Sequence, residues 1–285
     1  MAILPLALTD PSNLKDLSIL ITGGASGPGL HSVTFFAKSG AFVTIADIQD
    51  GTKIAADLSG QGYKTQFTLD MVAAFAGIDG TGHIVDYVAA SEVSLEGTPP
   101  PVPSLTPIEV NLKGTFYTTT LALHYFRLQP QGIIPNKTRA SKSLTIVSSL
   151  AGYIDDTHST AYTASKFASR GLFRAIRAHA HQQLNVRVNA ICPWAMETPM
   201  IKAALERMAM FGILPDKGIT LVEHDVLKGP WQRSLSMGVF LLGRAIAIVP
   251  EGAIDIGDDI DGNYGGTQLV ELMALRKEAG DFLHS

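Results

Sequence analysis

The chain has 285 residues, 46% of them hydrophobic, enough to bury the core of one large domain or two small ones. A formal net charge of -4 without a basic run makes nucleic acid and anionic membrane surfaces poor partners. The single cysteine, Cys192, excludes an intramolecular disulfide, and the opening MAILPLALTDPSNLKD has neither a basic n-region nor a long apolar core, so a reducing, cytoplasmic compartment is expected.

The first predicted strand covers residues 18–21, and a helix with Leu30, Val33, Phe36 and Ala37 at helical spacing follows over 30–39. Between them lies TGGASGPGL, a run of tiny residues that brings the backbone into a tight turn and lets another group approach it closely. Gly23, Gly27 and Gly29 give the spacing G-x-x-x-G-x-G, and Pro28 falls in the first helical turn, where its missing N–H costs no hydrogen bond. A glycine cluster alone reads equally well as a plain tight turn. The second strand, 41–46, ends at Asp47, about twenty residues on from the glycines, where a carboxylate can accept hydrogen bonds from adenosine ribose hydroxyls. No Arg or Lys lies beside Asp47 or in the glycine turn to receive a 2'-phosphate, so NAD is expected over NADP.

Further apolar or β-branched runs predict strands at 65–69, 84–89, 143–147, 186–191 and 245–249. Their alternation with helical stretches predicts one α/β domain, a doubly wound Rossmann-type parallel sheet with helices on both faces. The glycines at 77, 80 and 82 reduce the expected crossover helix between 70 and 86 to a turn or two, and EGTPPPVPSLTP at 96–107 reads as an exposed loop before the helix that carries Asn111. A long helix is expected over 159–184, with Tyr162 and Lys166 four residues apart on one face, and Ser148 and Ser149 end the strand before it. His179 and His181, two apart on that helix, face different ways, and no other residues have metal-ligand spacing.

In chain order, TGGASGPG, Asp47, VNLKGTFYTT with Asn111, SSLAG with Ser149, YTASK and RVNAICPWAMETP with Thr198 are together similar to the short-chain dehydrogenase/reductase family with an Asn-Ser-Tyr-Lys tetrad. The resemblance runs from about Lys15 to Met200 and implies catalytic roles for Asn111, Ser149, Tyr162 and Lys166. It implies NAD contacts at Gly23, Ser26, Gly27, Gly29, Asp47, Asp70, Ala90, Tyr162, Lys166, Pro193, Met196 and Thr198, with Asp70 facing adenine and Thr198 beside the nicotinamide amide or the phosphates. Thr198 fits a helix cap equally well. A tyrosine of ordinary pKa about 10 is a poor base at neutral pH, but a lysine ammonium one turn away and a cationic nicotinamide both favour the phenolate. Tyr162 then serves as the acid/base, Ser149 holds the substrate oxygen, and the family places Asn111 on a water chain leading from Lys166.

Two departures stand out against that pattern. Residues 90–93, read as the end of the fourth strand, give Ala-Ser-Glu-Val in place of Asn-Asn-Ala-Gly, and Trp194 replaces the glycine usual after Pro193. The variable lid at about 198–227 carries Met200, Met208, Met210, Phe211, Ile213 and Leu214, which suit a bulky substrate of low polarity. The tail resembles that of members from microbial secondary metabolism, so a secondary alcohol or ketone on a terpenoid, steroid-like or polyketide skeleton is expected. An isomerase or cyclase on the same scaffold is the alternative, and an apolar stripe on the helix at 159–184 implies a homodimer or homotetramer.

Overall fold

The computed structural model describes residues 14–59, 69–80, 82–89, 102–127, 142–154, 159–196, 198, 201, 243–249, 252–256 and 258. Its described strands form one sheet in the order β2-β1-β3-β4-β5-β6-β7, from β2 (Phe42–Ala46) and β1 (Ser18–Thr22) through β3 (Met71–Ala74), β4 (Lys142–Val147) and β5 (Val186–Pro193) to β6 (Ala245–Val249) and β7 (Gly252–Asp255). Neighbours up to β6 pair in parallel, and β7 turns back antiparallel on β6. The expected doubly wound α/β sheet is therefore present.

Strand residues alternate between two apolar clusters, as a sheet covered on both faces requires. Ile19, Ile21, Met71, Ala73, Ile191, Ile246 and Ile248 join Val33 and Phe36 of α1 (Gly27–Lys38) on one face. On the other, Val72, Leu144, Ile146, Val188, Ala190 and Cys192 join Ala122 and Phe126 of α4 (Gly114–Phe126) and Leu172 and Phe173 of α5 (Thr160–Leu184). The chain leaves β1 toward β2, continues into α2 (Thr52–Ser59) and returns to the opposite side of β1 as β3. The carboxyl ends of β1 and β3 thus flank a topological switch point, the usual ligand crevice of such sheets.

The expected strand at 84–89 is instead a helix, α3 (Ile84–Ala89). Its apolar residues Ile84, Val85 and Val88 share one helical face and are about half exposed, so the run never had the burial a central strand needs. The place beside β1 belongs to Met71–Ala74, four residues buried on both faces, and among the described residues between that strand and Ile84 there is no helix, so the reduced crossover helix expected between 70 and 86 is not found ahead of α3. Such a short, alanine-rich run carries little β-propensity, which hid it in the sequence. Of the expected strand at 65–69, only Leu69 is described, and it lies outside β3. α3 is fastened to the start of α5, with Gly82 bridged to Ser159 and Ile84 N donating to Thr160 Oγ1 at 3.1 Å.

Candidate active site

The turn after β1 is built by close backbone approach. A Cβ on Gly29 would lie 2.0 Å from the Gly23 carbonyl oxygen, and one on Gly23, whose φ is +69°, would lie 2.7 Å from Ala76 N. Both positions therefore exclude side chains. Ser26 is the N-cap of α1 with no side-chain cap bond, leaving the helix N-terminus and its dipole free to receive an anion. Asp47, just past β2, braces the turn by accepting Ala25 N at 2.8 Å and Gln49 N at 2.9 Å. It also lines a cavity of about 360 Å³ with Val33, Val43, Ile45 and Ala55; none of the four catalytic candidates borders it. Thr198 lies across the turn, its methyl 3.7 Å from where a Gly27 Cβ would be, and its hydroxyl accepts Ile201 N at 3.3 Å.

Asn111 is buried in a π-helical turn (Ile108–Lys113) at the head of α4, where Gly114 N reaches back to Glu109 O. Its amide clasps Ile78, accepting Ile78 N at 2.8 Å and donating to Ile78 O at 2.9 Å, and donates to Ser165 Oγ at 3.0 Å. The strand end beside the site is therefore Ala74-Phe75-Ala76-Gly77, which keeps the Ala-Gly half of the family's Asn-Asn-Ala-Gly, and the departure read at 90–93 is corrected to this segment. Ala90 itself lies outside the described residues. Sequence reasoning missed Gly77 and Ile78, although the pair Ala76-Gly77 after a short apolar run was the available signal.

Tyr162 and Lys166 stand in the first two turns of α5, whose N-cap Ser159 accepts Tyr162 N at 3.3 Å. Lys166 is 6% exposed, with Nζ 5.5 Å from the Tyr162 ring centroid and donating to Val147 O at 3.3 Å. A Cβ on Gly77 would fall 3.3 Å from Asn111 Oδ1 and 3.7 Å from Lys166 Nζ, so the missing side chain keeps a cradle open between them. Burial pulls the Lys166 ammonium down from 10.5 to about 8. Ser148 donates to Lys166 O at 2.9 Å. Ser149 caps the short turn Leu150–Gly152, accepting Ala151 N at 3.1 Å and donating to Pro193 O at 3.3 Å.

Other expected contacts are placed differently. Asp70 sits at the amino edge of the sheet, pairing with Lys142 at 2.8 Å and accepting Ser18 N at 3.0 Å, at the starts of β4 and β1. That edge is opposite the glycine turn, so the adenine role is withdrawn; Asp70 staples strand ends. The Met196 side chain is buried against the cluster of Ile191, Ile246 and Ile248, leaving only its backbone for a ligand. Trp194 N continues the ladder to Ile248 O at 2.8 Å, and its ring is 37% exposed. The lid beyond Ile201 lies outside the described residues.

Residues 18–209 match the family profile described as short chain dehydrogenase. The chain belongs to the short-chain dehydrogenase/reductase family. It is 38% identical to 5'-hydroxyaverantin dehydrogenase of Dothistroma septosporum, over 95% of this chain and 96% of that one. It is 36% identical to a second enzyme of that name from Emericella nidulans, over 97% and 98%. Among solved structures, a short-chain type dehydrogenase/reductase from Mycobacterium marinum superposes with a TM-score of 0.64 at 19% identity, covering 85% of this chain and 97% of the other, a likeness of fold. The family is one of oxidoreductases that use a nicotinamide cofactor. No helix among the described residues is long and apolar enough to cross a membrane.

The residues present fit a nicotinamide dinucleotide. The side-chain-free glycine turn, the uncapped α1 N-terminus, the Asp47 carboxylate and the cradle at Gly77 offer, in that order, room, positive dipole, ribose acceptor and room again.

Proposed function

We propose that the chain is an NAD-dependent dehydrogenase that interconverts a secondary alcohol and a ketone on a bulky, hydrophobic, polyketide-like substrate. The observation that carries this reading is the buried Lys166 ammonium beside Tyr162, on the helix face that meets Asn111 and the open cradle at Gly77. The two relatives named for 5'-hydroxyaverantin support the substrate class. Bound NAD would supply the hydride acceptor for the substrate carbon. Tyr162 takes the alcohol proton, favoured as phenolate by the adjacent Lys166, and Ser149 orients the substrate oxygen toward it. Lys166 and Tyr162 would hold the nicotinamide ribose, Thr198 and the backbone near Pro193 and Met196 would face the nicotinamide, and Asp47 would accept from the adenosine ribose.

Asp47 supports NAD over NADP, because a 2'-phosphate would meet a carboxylate with no Lys or Arg beside it. NAD should bind at least about tenfold more tightly, a gap of about 1.4 kcal/mol. Calorimetric titration with both cofactors, followed by NADH formation from a panel of hydrophobic secondary alcohols, tests the reading; equal affinities would remove the NAD assignment. Product formed without cofactor reduction would favour the isomerase or cyclase alternative. Of the two departures that favour this alternative, residues 90–93 lie outside the described residues and the strand end beside Asn111 is 74–77, whereas Trp194 after Pro193 remains.

We further read residues 1–285 as one cytoplasmic domain with its lid at about 198–227, acting as a homodimer or homotetramer. Tyr117, Leu121 and Tyr125 are half-exposed at four-residue intervals on α4, and Phe167 is exposed on the adjoining α5. Such a stripe suits a second copy of the chain.

A further inference from the structure

Behind the site lies a buried charge cluster that the mechanism does not use. Asp258, fully buried after β7, accepts Arg170 Nε on Oδ1 at 2.7 Å, lies 3.5 Å from Arg177 Nη1 through Oδ2, and accepts Arg177 Nη2 on its main-chain oxygen at 3.0 Å. Arg170 and Arg177 project from α5, and Arg170 is one turn past Lys166. The same Arg170 guanidinium donates to Gly152 O at 3.2 Å and lies 4.0 Å over the Tyr153 ring, in the turn that Ser149 caps. One carboxylate thus joins three parts of the molecule: the chain after β7, the helix bearing Tyr162 and Lys166, and the turn bearing Ser149.

We propose that Asp258 is a positioning residue for the catalytic set, clamping α5 to the Ser149 turn through Arg170 and offsetting the charge of Arg170, which stands one helical turn past Lys166. The inference rests on the dehydrogenase reading above. The groups facing Asp258 are Arg170 and Arg177 of α5, the Tyr153 hydroxyl and the Cys192 thiol of β5; those facing Lys166 are the same thiol and the Tyr162 ring. Burial, with Asp258 adding to it, pushes the Cys192 thiol up to about 12 and Tyr153 well above its ordinary range, so both stay neutral and, among the described residues, the arginines answer the carboxylate. Removing the carboxylate leaves two cations uncompensated on the helix that carries Lys166 and disfavours its ammonium; removing Arg170 leaves Asp258 paired with Arg177 alone, takes one positive charge away and favours that ammonium.

The two changes therefore move one readout in opposite directions, which a merely structural role would not do. NADH fluorescence titrations across pH report the midpoint at which affinity falls as Lys166 deprotonates, below the ordinary lysine range because of its burial. Asp258→Asn should lower that midpoint by about half a pH unit or more, Arg170→Met should raise it, and Asp258→Glu should restore it. Either of the first two variants decides the matter if the other does not fold. A midpoint unmoved in a folded variant, or moved the same way in both, overturns the proposal. Absence of binding of both NADH and NADPH by the unaltered chain instead overturns the dehydrogenase reading.

Discussion

Replacing Lys166 by methionine removes a buried amine, and the consequence for stability can be worked through. The ammonium titrates at 10.5 when solvated and at about 8 in the fold, and burial is the main cause. A gap of about 2.5 units at about 1.4 kcal/mol each means that the folded state bears about 3 kcal/mol for holding this charge at low pH. Because Lys166 is 6% exposed, solvent screening removes little of that cost. Between about 8 and 10.5 the unfolded chain keeps its proton while the folded chain has lost it, so the unfolded state binds more protons and stability contributed by this group rises with pH. Integrated from about pH 7 to about pH 9.5, the wild-type chain should gain about 2 kcal/mol relative to Lys166→Met. Urea unfolding of both proteins without cofactor at the two pH values measures the difference directly, since groups common to both cancel. Parallel pH dependence in the two proteins would refute the assignment of a buried, destabilised ammonium at this position.

Most of the sheet was legible in the sequence because its central runs obey simple rules. Residues 143–147 and 186–191 are apolar, β-branched and flanked by helical periodicity, and they reappear as β4 and β5 with one or two residues added. The same holds for α5, whose expected start at Ser159 is its N-cap. What escaped was governed by tertiary context. Ile84, Val85 and Val88 look like a strand by composition, yet the space between β1 and β4 was filled by the less conspicuous MVAA, whose alanines fit between tightly packed neighbours. That single exchange carried the Asn-Asn-Ala-Gly comparison to 90–93, sixteen residues too far along the chain, since the counterpart is 74–77. It also bears on Asp70, which directly precedes β3 and pairs with Lys142 at the start of β4. The π turn at Asn111 left no trace in residue spacing, because an i to i+5 bond is fixed by what Asn111 must reach, here Ile78 and Ser165. Asp258 was invisible for a related reason: its partners are 88 and 81 residues away on another element.

Tyr162→Phe should remove nearly all turnover in a NADH absorbance assay while leaving NAD affinity within about twofold, because the ring still packs and only the proton-transferring hydroxyl is lost. Asp70→Asn should lower unfolding free energy by about 3 kcal/mol, since it strands the buried Lys142 ammonium, yet leave NAD affinity unchanged in calorimetry; a loss of affinity without loss of stability would return Asp70 to the cofactor. Leu121→Arg combined with Tyr125→Glu should yield a particle of 30.3 kDa by light scattering where the wild-type chain gives a multiple of that mass. Gly77→Val tests the corrected strand end. Its Cβ alone would stand 3.3 Å from Asn111 Oδ1 and 3.7 Å from Lys166 Nζ, and the two methyl groups beyond it must occupy the cradle or push both polar groups apart. Cofactor affinity should therefore fall by about a hundredfold, about 2.7 kcal/mol, whereas Glu92→Gln, at the segment first matched to this role, should change it by less than about twofold. The reverse result, with Glu92 sensitive and Gly77 tolerant, would mean that the cofactor passes along a different strand end from Ala74-Phe75-Ala76-Gly77.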